Sequence, residues 1–369
     1  MQQQSAFRLF LLALLAACGQ SPAPHVTTNQ SNNNQPSSTP QRKAEVMKFV
    51  KHEVIDRQGT GMVACTYLIP EGWTAQDQLY WEYNDATVPI RYKGIFKSRD
   101  GSMMIQSYPD VRSVWATGPA GSSGYPPPSG LIAGLREVVK AERKGLSFRV
   151  AEEKLVSNTP PQTNYQQGSA VTSSSQAGFI RIEFQENGRE YEEEFYGQLD
   201  VADMRTPSVM GEMRSLIWGG TSLYSCRAPK GKLEECRKIA LTAKTSARLT
   251  LPFYNRLAQV IQLLSDQVYQ RIYQAGHISR IISQTNDQMI SNIRSSYQQS
   301  QQANDRIYNQ FSDYMRGVDR YSDGQSQVQL PSGYTNAWVN DRGEYLLSNT
   351  QGYDPNRDMN GNWKALQRN

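Results

Sequence analysis

The side chains of this chain that could do chemistry are few: three histidines, four cysteines and scattered carboxylates among 369 residues. His25 lies in a polar N-terminal stretch, His52 in the strand-like run FVKHEVID, and His277 beside Gly276 in a helical pattern. A Ser-His-Asp group assembles from distant positions, so His52 leaves acyl transfer open. The local signatures that accompany such chemistry, Gly-x-Ser-x-Gly and Ser-x-x-Lys, do not occur. Nor do His-Glu-x-x-His and Cys-x-x-Cys, the spacings that hold zinc. No catalytic residue, metal or cofactor is assigned. The glycines of GPAGSSG, starting at Gly118, lack the Lys-Ser/Thr that completes a phosphate-cradling loop. The stretch to Gly130 reads instead as a surface loop, and its Tyr125 is a candidate for covering a ligand.

Three further groups stand out by position. GFIRIEF and REYEEEFYGQL flank Asn187-Gly188, a dipeptide suited to a type I′ hairpin turn. A two-residue turn sets Ile180 opposite Phe195, Phe184 opposite Tyr191, and Glu193 opposite Ile182 on an apolar face, with Arg181 opposite Glu194 on the other. A carboxylate buried there is costly without a partner, so Glu193 either sits at a bulge or edge or is kept for a ligand. Cys226 and Cys236 bracket RAPKGKLEE, which leads from a strand into a helix. They are a candidate disulfide, left open because sequence does not give their separation. Near the C-terminus, Asn356, Asp358, Asn360 and Gly361 fall at the spacing of a calcium loop. Asn356 and Gln367 replace its two most important carboxylates, and the reading is a polar turn anchored by Trp363 with no metal.

An address precedes all of these. The apolar run from Leu9 to Cys18 is too short for the ~20 residues a membrane helix needs. With Arg8 before it and small residues at its end, it has the layout of a secretory signal. Leu15-Ala16-Ala17-Cys18-Gly19 resembles the lipobox of bacterial lipoproteins. That resemblance implies removal of residues 1–17 and a lipid on Cys18, which would hold the protein in the membrane. Gly19 in place of Asp favours the outer membrane of a two-membrane envelope, facing the periplasm. Residues 18–45, nearly all Gln, Asn, Ser, Thr and Pro, read as a disordered tether.

The elements that must position the candidate residues begin at residue 46. Short runs such as MVACTYLIP, where Cys65 reads as a small buried residue, QLYWEYN and PIRYKGIFKS are strands divided by turns. LIAGLREVVKAERKG places Leu131, Leu135, Val138 and Val139 on one helical face, and KLEECRKIALTAKTSARL does the same for Leu233, Cys236, Ile239 and Ala240. Strands followed by a helix, twice over, predict an α+β body at 46–250, as one domain or as halves at 46–160 and 165–250, each antiparallel sheet packed by one helix. PEGW, RDGSMMIQSYPD and the order of elements resemble the PsbP/Mog1 superfamily, which implies a small α+β domain that binds partners. From 251 to 321, apolar residues from Leu257 through Ile282 and Phe311 to Val318 recur at three- and four-residue steps, predicting a long Gln-rich helical segment broken at Gly276 or in the polar stretch SSYQQSQQAND. The tail, 322–369, reads as a β-hairpin around Asn340–Gly343 with Trp338 packed across from Tyr345, and tail and helix together resemble bacterial proteins of unassigned function.

A net charge of +5 without a block of Lys and Arg gives no reason to expect nucleic acid. The expected function is a lipid-anchored envelope component that binds or scaffolds an envelope protein through the 253–321 helix and catalyses nothing. The alternative is an exported hydrolase of envelope polymers, with Glu193 as acid or base.

Overall fold

The computed structural model describes residues 46–83, 88–119, 121–166, 169–208, 211–273, 317–324 and 327–368. Cys18, the signal, the tether, His25, His277 and most of the expected long helix lie outside the described residues. In chain order the elements are β1 (Val46–Ile55), β2 (Val63–Pro70), β3 (Thr74–Trp81), β4 (Ile90–Lys97), β5 (Met104–Ser107), β6 (Val111–Gly118), β7 (Gly121–Gly124) and helix α1 (Leu131–Glu142). Four long strands follow, β8 (Phe148–Gln166), β9 (Ser169–Glu186), β10 (Arg189–Ser208) and β11 (Gly211–Pro229), then α2 (Leu233–Thr245), β12 (Arg248–Leu249) and α3 (Leu251–Tyr273). The tail holds β13 (Val318–Ser322), β14 (Gln327–Pro331), β15 (Asn336–Val339), β16 (Tyr345–Ser348), α4 (Pro355–Asp358), β17 (Lys364–Ala365) and β18 (Gln367–Arg368).

The Asn-Gly turn sets the geometry of the largest sheet. Asn187 and Gly188 take φ values of 51° and 77°, as a type I′ turn requires. The β9–β10 register then pairs Glu193 with Ile182 and Glu194 with Arg181, as the sequence predicts. Nine strands pair in this sheet, in the order β3-β4-β5-β11-β10-β9-β8, with β6 and β7 attached to the far part of β11. Because successive side chains alternate in direction, Ile180, Ile182, Phe184 and Phe195 meet Leu131, Leu135 and Val139 of α1. Phe179, Tyr196, Tyr224 and Cys226 point the other way, into a core shared with α2 and with Phe49 and Leu347 of a second sheet. The N-terminus of α1 has no cap of its own; Gln176 of β9 accepts the Leu131 N–H at 2.9 Å through Oε1.

The long strands run 18 to 20 residues, about 60 Å at 3.3 Å per residue. Near the Asn-Gly turn both faces are covered; the distal halves form an arm. On one face of that arm Val114 of β6 stands opposite Ile217 of β11, and Val114, Ile217 and Met213 are 51%, 36% and 53% exposed. The free edge, β8, carries three register shifts and Pro160-Pro161, devices that discourage pairing with another strand.

The structure corrects the expected fold class. Among the described residues it is mostly antiparallel β-sheet, 57% strand and 17% helix with four helices, in place of an α+β fold with each sheet packed by one helix. Strands do fall into sheets as expected, but α1 and α2 lie on opposite faces of the same sheet. The far end of the supposed long helix is also strand: Val318 and Tyr321 belong to β13, and Tyr321 is in the main core. Apolar residues three apart fit either element over so short a window. The tail's β16 and β15 pair into the second sheet, β12-β2-β1-β16-β15-β17, with Met47 opposite Leu347. Its turn sits where expected, Asn340 Oδ1 accepting the Arg342 and Glu344 N–H groups. Trp338 nevertheless pairs with Leu346, and Tyr345 with Val339, so Trp338 and Tyr345 occupy opposite faces.

Candidate functional site

One part-buried polar cluster joins the two large sheets. His52 of β1 and Tyr67 of β2 are cross-strand partners in one sheet, while Asp77 of β3 and Tyr92 of β4 come from the other. His52 Nε2 lies 2.5 Å from Asp77 Oδ2; the Tyr67 and Tyr92 hydroxyls donate to Asp77 Oδ1 at 2.8 and 2.6 Å. The His52 and Tyr67 rings are 5.0 Å apart. Burial pushes the Asp77 carboxyl up, but the hydrogen bonds from His52, Tyr92 and Tyr67 outweigh it and hold the group below its ordinary 3.8. Burial, then the neighbouring charge, raises both phenols, so they remain donors.

Asp77 orients His52 as the third member of a triad orients its base. An activated nucleophile is not supplied by the nearest thiol. Cys65, one side chain along the same face of β2 from Tyr67, is pushed up to about 11 by burial and so is protonated at neutral pH; its Sγ faces the Thr66 carbonyl at 3.6 Å. The geometry therefore describes an ionised carboxylate fastening two sheets. Asp77→Ala should cost ~3 kcal/mol, since it strands three polar groups that a charged acceptor had satisfied. Because the folded value lies below 3.8, the stabilisation is complete above about pH 4 and fades as pH falls through the folded value. The gap between wild type and Asp77→Asn in urea titrations should be flat above pH 5 and narrow below pH 4.

Glu193 is not at an edge. It is fully buried, with Arg143, at the C-terminal end of α1, donating from Nε to Oε2 at 2.7 Å and from Nη2 to Oε1. The guanidinium also lies over the Phe195 ring, 5.3 Å from its centroid. Burial alone would lower the Arg143 pKa; its hydrogen bonds and charge contact with Glu193 raise it. Glu194, facing the opposite way, is equally enclosed: Arg181 Nε donates to Oε1 at 2.6 Å, and Tyr196 donates to Oε2. Burial raises the Glu194 pKa in spite of Arg237 and Arg181.

Tyr125 is 76% exposed near the other end of α1, so the structure does not bring it to Glu193. Its carbonyl accepts the Trp218 indole N–H at 2.8 Å, which pins the loop to the arm. Cys226 and Cys236 are free thiols, both fully buried in the main core. Asn356 is committed to Trp363, donating from Nδ2 to its carbonyl at 2.9 Å and accepting its N–H at 2.8 Å. Asp358 and Asn360 point to solvent, and no cluster of three metal-ligating residues occurs among the described residues.

Asp77 and Arg143 were missed from sequence. The signal for Asp77 was its parity: it shares an inward position with Ala75 and Leu79 in TAQDQLYW. Arg143 gave none, because its partner is 50 residues away.

No family model matches the chain, and no curated protein matches it. Among solved structures it is similar to that of LpqN, a protein involved in cell envelope biogenesis of Mycobacterium tuberculosis. The alignment has 11% identity, covers 55% of this chain and 91% of that one, and reaches a TM-score of 0.19. A score that low is not a shared fold.

Proposed function

We propose that this is a cell-envelope protein, anchored by lipid on Cys18 in the outer membrane on its periplasmic side, that binds an envelope protein and catalyses no reaction. The observation that carries the choice of binding over hydrolysis is the Glu193–Arg143 pair. The carboxylate on which the hydrolase reading depended is fully buried and held by a cation. The arm supports the same reading, since Val114, Met213 and Ile217 offer exposed apolar side chains on one face of the sheet. The Gln-rich segment first expected to meet the partner lies largely outside the described residues.

The anchor is tested by expressing the full chain in a two-membrane bacterium with a fatty-acid analogue and comparing it with Cys18→Ala. Label in the membrane fraction that disappears in Cys18→Ala is the expected result. Equal behaviour of the two would remove the anchor and with it the envelope reading.

A further inference from the structure

Cys226 sits mid-strand in β11, paired with Ile105 of β5, and Cys236 is in the first turn of α2, which packs on that same face. The Cys236 sulfur lies 3.5 Å from the carbonyl of Arg227, the residue after Cys226, and 3.7 Å from the carbonyl of Met104, the residue before Ile105. It therefore lies beside the Cys226–Ile105 pair, with both thiols fully buried in the one core. The third body cysteine, Cys65, belongs to the other sheet, where it pairs with Val54 and Leu249.

We propose that in the exported protein Cys226 and Cys236 are joined by a disulfide that staples α2 to β11. This rests on the export reading, because disulfides form and persist outside the reducing cytosol. Folded, the pair is shut off from reagents: both sulfurs are fully buried, and burial followed by the neighbouring thiol raises Cys226 further. The bond accordingly forms before α2 closes. One thiolate attacks the disulfide of an external thiol–disulfide oxidant, giving a mixed disulfide and releasing one oxidant thiol. The second cysteine thiolate attacks the protein sulfur of that mixed disulfide and releases the other. Two electrons and two protons pass from the protein to the oxidant, which leaves as a dithiol.

The test is alkylation in denaturant without prior reduction, followed by peptide mapping, of full chain recovered from membranes. Expected is modification of Cys65 alone, with Cys226 and Cys236 found as one linked peptide pair that alkylates only after reductant. Modification of Cys226 and Cys236 as complete as that of Cys65, in chain carrying lipid on Cys18, would overturn the proposal. A second arm refolds full-length Cys18→Ser from denaturant in a glutathione redox buffer, where the same protection is expected without export. Thiols that stay alkylatable there would also overturn it. Protection in the refolding arm with no lipid label in cells would sink the anchor and leave the disulfide standing.

Discussion

Arg143→Ala should destabilise the protein by about 3–5 kcal/mol, because it leaves a fully buried carboxylate with no cation. Loss of the guanidinium's contact over the Phe195 ring adds to that. Replacing both members, Arg143→Leu with Glu193→Leu, should recover most of the loss, since apolar residues of similar volume often substitute for a buried ion pair at little cost. Urea midpoints at constant slope measure both effects. If Arg143→Ala alone left the midpoint unchanged, Glu193 would not be the enclosed partner described above, and a free acid at that position would return the hydrolase reading.

Removing residues 317–369 should abolish the cooperative unfolding transition of the body. The tail contributes β16 and β15 beside β1, and Leu347 and Leu330, both 0% exposed, fill the same core as Phe49. Truncation would expose that core and open β1 as an unpaired edge. Leu347→Ala is the milder version, with an expected cost of ~2–5 kcal/mol for a large-to-small change at a fully enclosed site. Thermal melts of the truncated chain and of Leu347→Ala, read by near-ultraviolet circular dichroism, check both. A truncated chain melting like the whole would mean that the tail is an independent module.

These two results depend on long-range contacts, which were the part of the fold least legible in the sequence. Local signals served well: Asn187-Gly188 set the hairpin register, and the buried faces of both helices include Leu131, Leu135, Leu233, Cys236, Ile239 and Ala240 as the spacing predicts. Those signals reach only a turn or two along the chain. Nothing in VMKFVKHEVI states that its neighbour is YLLS, some 300 residues away. The distal parts of β8 and β9 were unread for another reason: NTPPQTNYQ and SAVTSSSQA carry too few apolar residues to alternate visibly, and it is pairing within the arm that makes them strands. In the candidate site, Glu193 was picked out by its inward parity, while its meaning depended on an arginine from another element.

In the proposed role the protein holds a partner in the envelope. The most direct measurement places a photo-crosslinking side chain at Ile217, on the exposed strip of the arm, and another at exposed Lys51 of β1, in intact cells carrying the lipid-anchored full chain. A discrete protein adduct is expected from position 217, weakened by Val114→Asp, and none from position 51. Recovery of uncrosslinked monomer from both positions, in cells where the lipid label on Cys18 is confirmed, would contradict it.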